Sequence, residues 1–275
     1  MIKKHQMLKL SVLLVGSLML LAVFGQVITA QAMSTTTKNG IMQNFVKLSQ
    51  DTGSTDNWAG YLVMGGAQQV TAALASWEVP AVSGNGYSSF WVGIDDYGND
   101  LEQIGTMSQM VNGVATYFAW YEYLPSNWVT ITSMTIHPGD TIIGTVYEIG
   151  QSGTSYNIQV NIYDVTQGDT QFHTTQWIAN WHGNSAEWIA EAPIVGTLQP
   201  LANFGTAYFG QDYTSCIPSC EATINGQSGY ISSFGVNNWV QITMMSENNQ
   251  YVKAATSALS SDGSSFSVTW ENAGP

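Results

Sequence analysis

The feature that most constrains the fold is a series of short apolar segments, separated by turn residues, that begins at Asn57. Representative segments are WAGYLVM (58–64), SSFWVGID (88–95), ATYFAWYEYLP (115–125) and AEWIAEAP (186–193). Gly, Asn, Asp and Pro fall between the segments at intervals typical of an all-β sandwich. No useful length of chain after residue 57 has the periodicity of an amphipathic helix. The pattern predicts one β domain over residues 57–275.

Alternation within these segments predicts which side chains share a face, because successive strand residues point to opposite sides. The pairs that share a face are Trp91 with Asp95, Trp120 with Glu122, and Glu187 with Glu191. In LEQIGT (101–106) the amide of Gln103 lies between Leu101 and Ile104 without an evident structural reason. Two carboxylates on one face of a short apolar strand are costly to bury without partners, so this face predicts a cleft.

The charge of the chain is strongly one-sided. It has 19 Asp and Glu residues and no arginine, and Lys253 is the only lysine after residue 50. Acid denatures proteins when carboxylates protonate and the remaining cations repel one another, and here almost no cations would remain. This composition suits an ordinary acidic protein at neutral pH as well as a protein that stays folded in acid. It argues against nucleic acid as a partner, because no basic patch exists to neutralise phosphates.

The N-terminus predicts secretion. Lys3, Lys4 and Lys9 precede an apolar run from Leu10 to Phe24, and a small-x-small cleavage site follows at residues 30–32. The alternative, a retained membrane anchor, is disfavoured because the run is short. We therefore expect a signal peptide over residues 1–32, a leader or short pro-segment over 33–56, and an extracellular protein that has no membrane segment after signal removal.

Two cysteines, Cys216 and Cys220, lie in the segment SCIPSCEA. In a secreted chain the expected arrangement is a disulfide that closes this short loop. Two thiols without neighbouring histidines do not make a zinc site, so no metal is expected.

Familiar catalytic signatures such as GxSxG, HExxH and GxGxxG are absent. Histidine is a poor base in acid because its ring is protonated there. The side chains that remain as bases are carboxylates, and the strand-embedded ones include Asp95, Glu122, Glu187 and Glu191.

At these residues the chain resembles the glutamic peptidases, or eqolisins. The segments that carry the resemblance are WVGID (91–95), LEQIGT (101–106), AWYEYLP (119–125) and AEWIAEAP (186–193), together with NWAGY (57–61), WEVP (77–80), HPGD (137–140), LANFGTAYF (201–209) and DGSSFSVTW (262–270). They occur in order from Asn57 to Trp270 without large gaps. The few cysteines and the simple signal peptide suggest a bacterial-type member.

The resemblance implies a sandwich of two large antiparallel sheets, similar to the concanavalin A-like and jelly-roll folds. It implies a secreted, acid-acting, pepstatin-insensitive endopeptidase that uses Gln103 and Glu191 as its catalytic pair. Protein or peptide substrates are then the partners, no cofactor or metal is needed, and a monomer is the expected state. Residues expected to line the cleft and bind substrate are Trp58, Trp91, Asp95, Trp120, Glu122 and Glu187.

Two other readings compete with a peptidase. A β-jelly-roll glycoside hydrolase would also place two acids, such as Glu122 and Glu191, in a groove lined by tryptophans. A carbohydrate-binding module would use the same tryptophans for stacking. Gln103 discriminates among them, because a glycosidase has no need of an amide at that position.

Overall fold

The strands of the domain follow one another closely along the chain. The structure is a computed structural model that describes residues 46–47, 52–95, 100–168 and 170–274. The strands are β1 Val46–Lys47, β2 Thr52–Thr55, β3 Trp58–Met64, β4 Val70–Glu78, β5 Gly86–Asp95, β6 Leu101–Val111, β7 Val114–Tyr123, β8 Val129–Ile131, β9 Thr141–Ser152, β10 Ser155–Asp164, β11 Thr170–Ala179, β12 Ser185–Glu191, β13 Ile194–Val195, β14 Thr197–Leu198, β15 Thr206–Phe209, β16 Glu221–Ile224, β17 Gln227–Tyr230, β18 Trp239–Met245, β19 Val252–Thr256 and β20 Phe266–Trp270. The helical elements are α1 Gln211–Thr214 and a 3₁₀ turn, Ile231–Phe234.

The larger strands form two layers. The first has the order β8-β7-β6-β5-β12-β3-β18-β2-β1. The second layer begins with the order β11-β10-β9-β4. Two strands, β16 and β15, then pair with successive parts of β4. Beyond β15 the layer continues with β20 and β19. Among the described strands, every strand pairing is antiparallel except the one between β2 and β18. The predicted antiparallel β-sandwich is therefore confirmed, and pairing of β18 with β19 joins its layers into one hydrogen-bonded network of 18 strands.

Apolar side chains from both layers fill the space between them. Val92 and Ile104 of the first layer belong to the same buried cluster as Ile142 and Val146 of the second. Two buried indoles also bridge the layers, because a buried tryptophan N–H needs an acceptor. The Trp188 indole donates to the carbonyl of Leu74 at 2.7 Å, and the Trp77 indole donates to Thr106 Oγ1 at 3.0 Å. These bonds fix how the first layer sits on the second.

Residues just before the predicted domain start are part of the sheet. Gly53, Ser54 and Thr55 of β2 are buried, and β2 pairs with β18. The first buried strand thus begins five residues earlier than the predicted boundary at Asn57. The predicted signal peptide and most of the predicted leader lie outside the described residues.

Lys253 closes the junction between the two ends of the domain. Its side chain is fully buried, and Nζ donates to the backbone oxygen of Asp56 at 3.0 Å. The backbone N–H groups of Glu271 and Asn272 donate to the Lys253 carbonyl at 2.8 and 3.1 Å. Burial lowers the pKa of this amine. One lysine therefore holds the residues after β2 and the C-terminal segment together.

The expected disulfide is not formed in the structure. Cys216 and Cys220 are both free thiols, and only Cys220 is buried. Cys220 packs into the core between the layers, whereas Cys216 is partly exposed, so the two side chains have different surroundings. Within the described part of the chain, no helix has the length and apolar character needed to cross a bilayer.

Candidate active site

The outer face of the first layer brings Gln103 beside Glu122. Gln103 of β6 pairs in register with Gly93 of β5 on one side and with Glu122 of β7 on the other. Directly opposed side chains on one face of a sheet are close enough to interact. The amide nitrogen of Gln103, Nε2, donates to Glu122 Oε2 at 2.6 Å, and both side chains are buried. The sheet register thus determines which residue holds the Gln103 amide.

Glu191 reaches the same face from β12. It pairs with Ser89 of β5 and with Trp58 of β3. Trp91 is two residues along β5 from Ser89, and its indole Nε1 donates to Glu191 Oε2 at 2.7 Å. Trp58 packs edge-on against Trp91 with ring centroids 4.9 Å apart. The carboxyl group is therefore held at the last residue of its strand by an indole from the neighbouring strand.

Gln103 and Glu191 line one pocket that is open to solvent. The residues around it are Ser89, Gln103, Met107, Trp120, Glu122, Trp128, Glu191, Pro193 and Ile194. Within the described chain, Gln103 Oε1, Glu122 Oε1 and Glu191 Oε1 are buried and have no hydrogen-bond partner. Most of the wall is apolar, and its polar residues, Ser89, Gln103, Glu122 and Glu191, come from four strands.

Burial sets the acidity of the two carboxyl groups. It raises the pKa of Glu191 from 4.5 to about 8, against the lowering effect of the Trp91 hydrogen bond, and the charge of Glu122 raises it further. Burial also raises the pKa of Glu122 to about 7, while the hydrogen bond from Gln103 lowers it. No lysine, arginine or histidine is among the pocket-lining residues. A buried carboxyl group without a cation favours its neutral form.

A glycine makes room for the two tryptophans near the pair. Gly105 of β6 lies in register between Trp91 of β5 and Trp120 of β7. A Cβ at Gly105 would come within 2.4 Å of the Phe90 carbonyl oxygen and 2.5 Å of Trp91 Cβ. The Trp120 indole can then donate to Ser89 Oγ, at 3.1 Å.

Four of the residues predicted to bind substrate are not on the pocket wall. Trp58 and Trp91 are fully buried, with Trp91 in contact with Glu191. Asp95 and Glu187 are buried as well, towards the other end of the strands. Of the predicted substrate-binding residues, the structure brings Trp120 and Glu122 to the pocket with the pair.

Glu187 belongs to a second group of buried acids. Burial raises its pKa well above the usual value, and the charges of Asp95, Glu102 and Asp100 raise it further. Glu102 lies on the opposite face of β6 from Gln103, where Oε2 accepts from the Trp181 indole at 2.5 Å. Among the described residues, no group of three or more His, Cys, Asp or Glu side chains is arranged to hold a metal ion.

Five wall residues were not among the predicted ones: Ser89, Met107, Trp128, Pro193 and Ile194. Alternation would have found two of them, because Ser89 is two residues before Trp91 and Met107 is two residues after Gly105. Trp128 lies just before β8, Pro193 lies between β12 and β13, and Ile194 begins β13, a strand of two residues. Alternation along a long strand does not assign a direction to these positions.

Comparison with known proteins places this geometry in context. The model of the peptidase A4 family matches residues 56–270. Aspergillopepsin-2 of Aspergillus niger is 30% identical over 184 residues, which are 56% of this chain and 62% of that protein, so the chain spans less than two thirds of that relative. The fold is similar to that of scytalido-glutamic peptidase in complex with a peptide-based transition-state analogue (TM-score 0.60, 23% identity, 78% of this chain and 98% of that one). It is also similar to aspergilloglutamic peptidase from Aspergillus niger (TM-score 0.51, 28% identity, 68% of this chain and 100% of that one).

Proposed function

The chain belongs to the peptidase A4 family, the glutamic peptidases or eqolisins, and from this premise we propose that it is a secreted endopeptidase that acts in acid, with Glu191 and Gln103 as its catalytic pair. The observation that carries the proposal is their convergence: a carboxyl group on β12 and an amide on β6 line one pocket. Family membership favours this function over a glycoside hydrolase or a carbohydrate-binding module, although Glu122 and Glu191 also share the pocket.

Glu191 handles the proton in the proposed reaction. As a carboxylate it takes a proton from a water molecule, and the oxygen of that water bonds to the carbon of the scissile carbonyl. Protonated Glu191 then donates to the nitrogen of the tetrahedral intermediate. The C–N bond breaks, releasing a carboxylic acid and an amine, and Glu191 is a carboxylate again.

Gln103 stabilises the negative charge that develops on the carbonyl oxygen. Its Nε2 carries two hydrogens, and the bond to Glu122 Oε2 uses one of them. The second hydrogen is free to donate to the oxyanion, and an amide keeps this donor at any pH. Glu122 thereby fixes which end of the Gln103 amide is presented.

The raised pKa of Glu191 determines how the reaction depends on pH. A carboxyl group with a pKa of about 8 is almost entirely protonated at pH 4. It is then a scarce but strong base and an abundant acid. The indoles of Trp91 and Trp58 favour the ionised form. Activity in acid therefore depends on how far these donors and the bound substrate stabilise the carboxylate.

Processing of the N-terminus is part of the proposal. Residues 1–32 would be removed as a signal peptide during secretion, and a leader within 33–56 would be cut later. Because β2 is buried beside β18, a cut just before Thr52 keeps β2 in the sheet and removes only the short edge strand β1. N-terminal sequencing of the protein recovered from the medium tests both cuts.

Proteolysis of a denatured protein between pH 2 and 5, with pepstatin present, tests the catalytic pair. We expect Glu191→Gln to abolish cleavage and Gln103→Ala to slow it by about 10²- to 10³-fold. Glu102→Gln is a matched control, because Glu102 is next to Gln103 but faces the core; it should keep its activity. Full proteolysis in both pair variants would refute the mechanism. Cleavage of a polysaccharide but not of protein would favour the glycosidase.

A further inference from the structure

The pocket beside the catalytic pair has a largely apolar wall. Trp128 lies on the wall just before β8 and is stacked on Phe118, with ring centroids 5.8 Å apart and planes 20° apart. Ile194 lies on the wall at the start of β13. Met107 of β6 also lines the pocket and is buried. The wall that surrounds the two polar catalytic groups is therefore mostly aliphatic and aromatic.

The Ile194 wall is connected directly to Glu191. Ala192 and Pro193 are the two residues between them. The N–H of Ala192 donates to the Asn57 carbonyl at 2.8 Å. The Pro193 carbonyl accepts from the N–H of Gln199 at 3.0 Å. The small hairpin of β13 and β14 then turns at Gly196, whose φ is +75°. Both bonds lie at the base of the hairpin, so the position of Ile194 is fixed relative to the reacting carboxyl group.

An anionic substrate side chain would find no cation to pair with, because the pocket-lining residues include no Lys, Arg or His. Lys253 does not line the pocket; it is buried, and its Nζ donates to the Asp56 carbonyl oxygen. A lysine side chain would meet Glu122 and Glu191, whose carboxyl groups are neutral in acid because burial raises their pKa to about 7 and about 8. Moving a charge into such a site is costly. The pocket is small and open to solvent, and Met107, Trp128 and Ile194 supply apolar surface on its wall, which suits one apolar side chain.

We propose that Ile194 and Trp128 form a subsite for one uncharged apolar side chain adjacent to the scissile bond, and that Ile194 sets the size of the side chain accepted. This inference rests on the proposed function and adds the substrate class to it. The side chain is adjacent to the scissile bond because the subsite shares its pocket with Gln103 and Glu191. Specificity arises from apolar burial, in which one methylene changes kcat/KM by about 10- to 200-fold.

Peptides that differ at one position test the subsite. The full secreted protein and its variants are given unstructured peptides with one cleavable bond flanked by Ala, Leu, Phe, Lys or Glu, and kcat/KM is measured in acid. We expect the Leu and Phe peptides to be cleaved at least about tenfold faster than the Ala, Lys and Glu peptides. Ile194→Ala should lower the ratio of Leu to Ala cleavage by about tenfold.

Val195→Ala is the matched control. Val195 is the next residue of the same hairpin, is 44% exposed and is not on the pocket wall, so its variant should keep the wild-type ratio. An unchanged ratio in folded Ile194→Ala, or preferred cleavage beside Lys or Glu, would overturn the subsite while leaving the peptidase intact. If the unmodified protein cleaves none of the peptides and no denatured protein, the proposed function itself fails.

Discussion

The Trp91 indole donates to Glu191 Oε2 at 2.7 Å across the boundary between β5 and β12. The two residues are diagonal neighbours, because Glu191 pairs with Ser89 and Trp91 pairs with Ile189. Diagonal neighbours on one face are within reach of long and aromatic side chains. The bond holds the carboxyl group at the edge of the pocket and favours its ionised form.

Replacing that donor should shift the pH dependence of the reaction. Trp91→Phe keeps an aromatic ring but removes the N–H, so the pKa of Glu191 should rise by about one unit, the value of one hydrogen bond to a charged group. The acidic limb of the kcat/KM profile should move to higher pH by the same amount.

Trp58→Phe provides the comparison for Trp91→Phe. Trp58 Nε1 has no hydrogen-bond partner at bonding distance in the described structure, and its lowering effect on the Glu191 pKa is smaller than that of Trp91. Its shift should be smaller. Equal shifts in the two variants would show that the 2.7 Å bond has no special role.

Glu122→Gln should shift the profile in the other direction. The charge of Glu122 raises the pKa of Glu191, so a neutral isostere should lower that pKa and move the acidic limb to lower pH. The new amide oxygen can still accept from Gln103 Nε2. Glu122→Leu removes the acceptor too, and should in addition reduce kcat. A profile that stays in place in both variants would mean that Glu122 does not act on the pair.

Stability should be greatest in acid. Burial raises the pKa of Glu102 and Glu187 well above 4.5, and that of Glu191 to about 8, so the folded state binds these protons more tightly than the unfolded state. Their contribution is complete below about pH 4.5 and is lost as the pH rises through the folded-state pKa values. The free energy of unfolding should fall by about 1.4 kcal/mol per pH unit for each titrating group.

Urea denaturation at a series of pH values measures this slope. Glu102→Gln removes one of the groups and should flatten the decline towards neutral pH. Glu78→Gln, at an exposed position, should leave the slope as it is. A free energy of unfolding that increases between pH 4.5 and 8 would contradict the sign of the predicted dependence.

Gly105→Ala should cost both stability and activity. The added Cβ would lie 2.4 Å from the Phe90 carbonyl oxygen and 2.5 Å from Trp91 Cβ, and backbone so close cannot give way easily. We expect a destabilisation of about 1–3 kcal/mol and a fall in kcat as Trp91 shifts away from Glu191. Gly150→Ala, where nothing lies within 4 Å, should be tolerated. Thermal unfolding of the two variants distinguishes a local clash from a general intolerance of alanine in strands.

Alternation of side chains predicted the face of the sheet correctly because the strands are regular there. WAGYLVM (58–64) coincides with β3. Alternation assigns faces only within a strand, and the pairing of β5, β6, β7 and β12 brings Gln103, Glu122 and Glu191 to one pocket. β2 was not predicted because TGST is small and polar; its burial comes from pairing with β18. Ile194 was missed because its position depends on backbone hydrogen bonds at the base of a hairpin. Cys216 and Cys220 are free thiols and not the expected disulfide; Cys220 packs into the core, and Cys216 is partly exposed.

Because Lys253 is buried, chemical labelling of its amine can measure how often the ends of the domain open. No lysine follows Lys47 except this one, and its amine is covered by the residues after β2 and by the C-terminal segment. An amine-reactive reagent would acylate it when one of those segments detaches. Mass spectrometry of the peptide that contains Lys253 would measure the rate of labelling. That rate would report how fast the chain ends detach, without an activity assay.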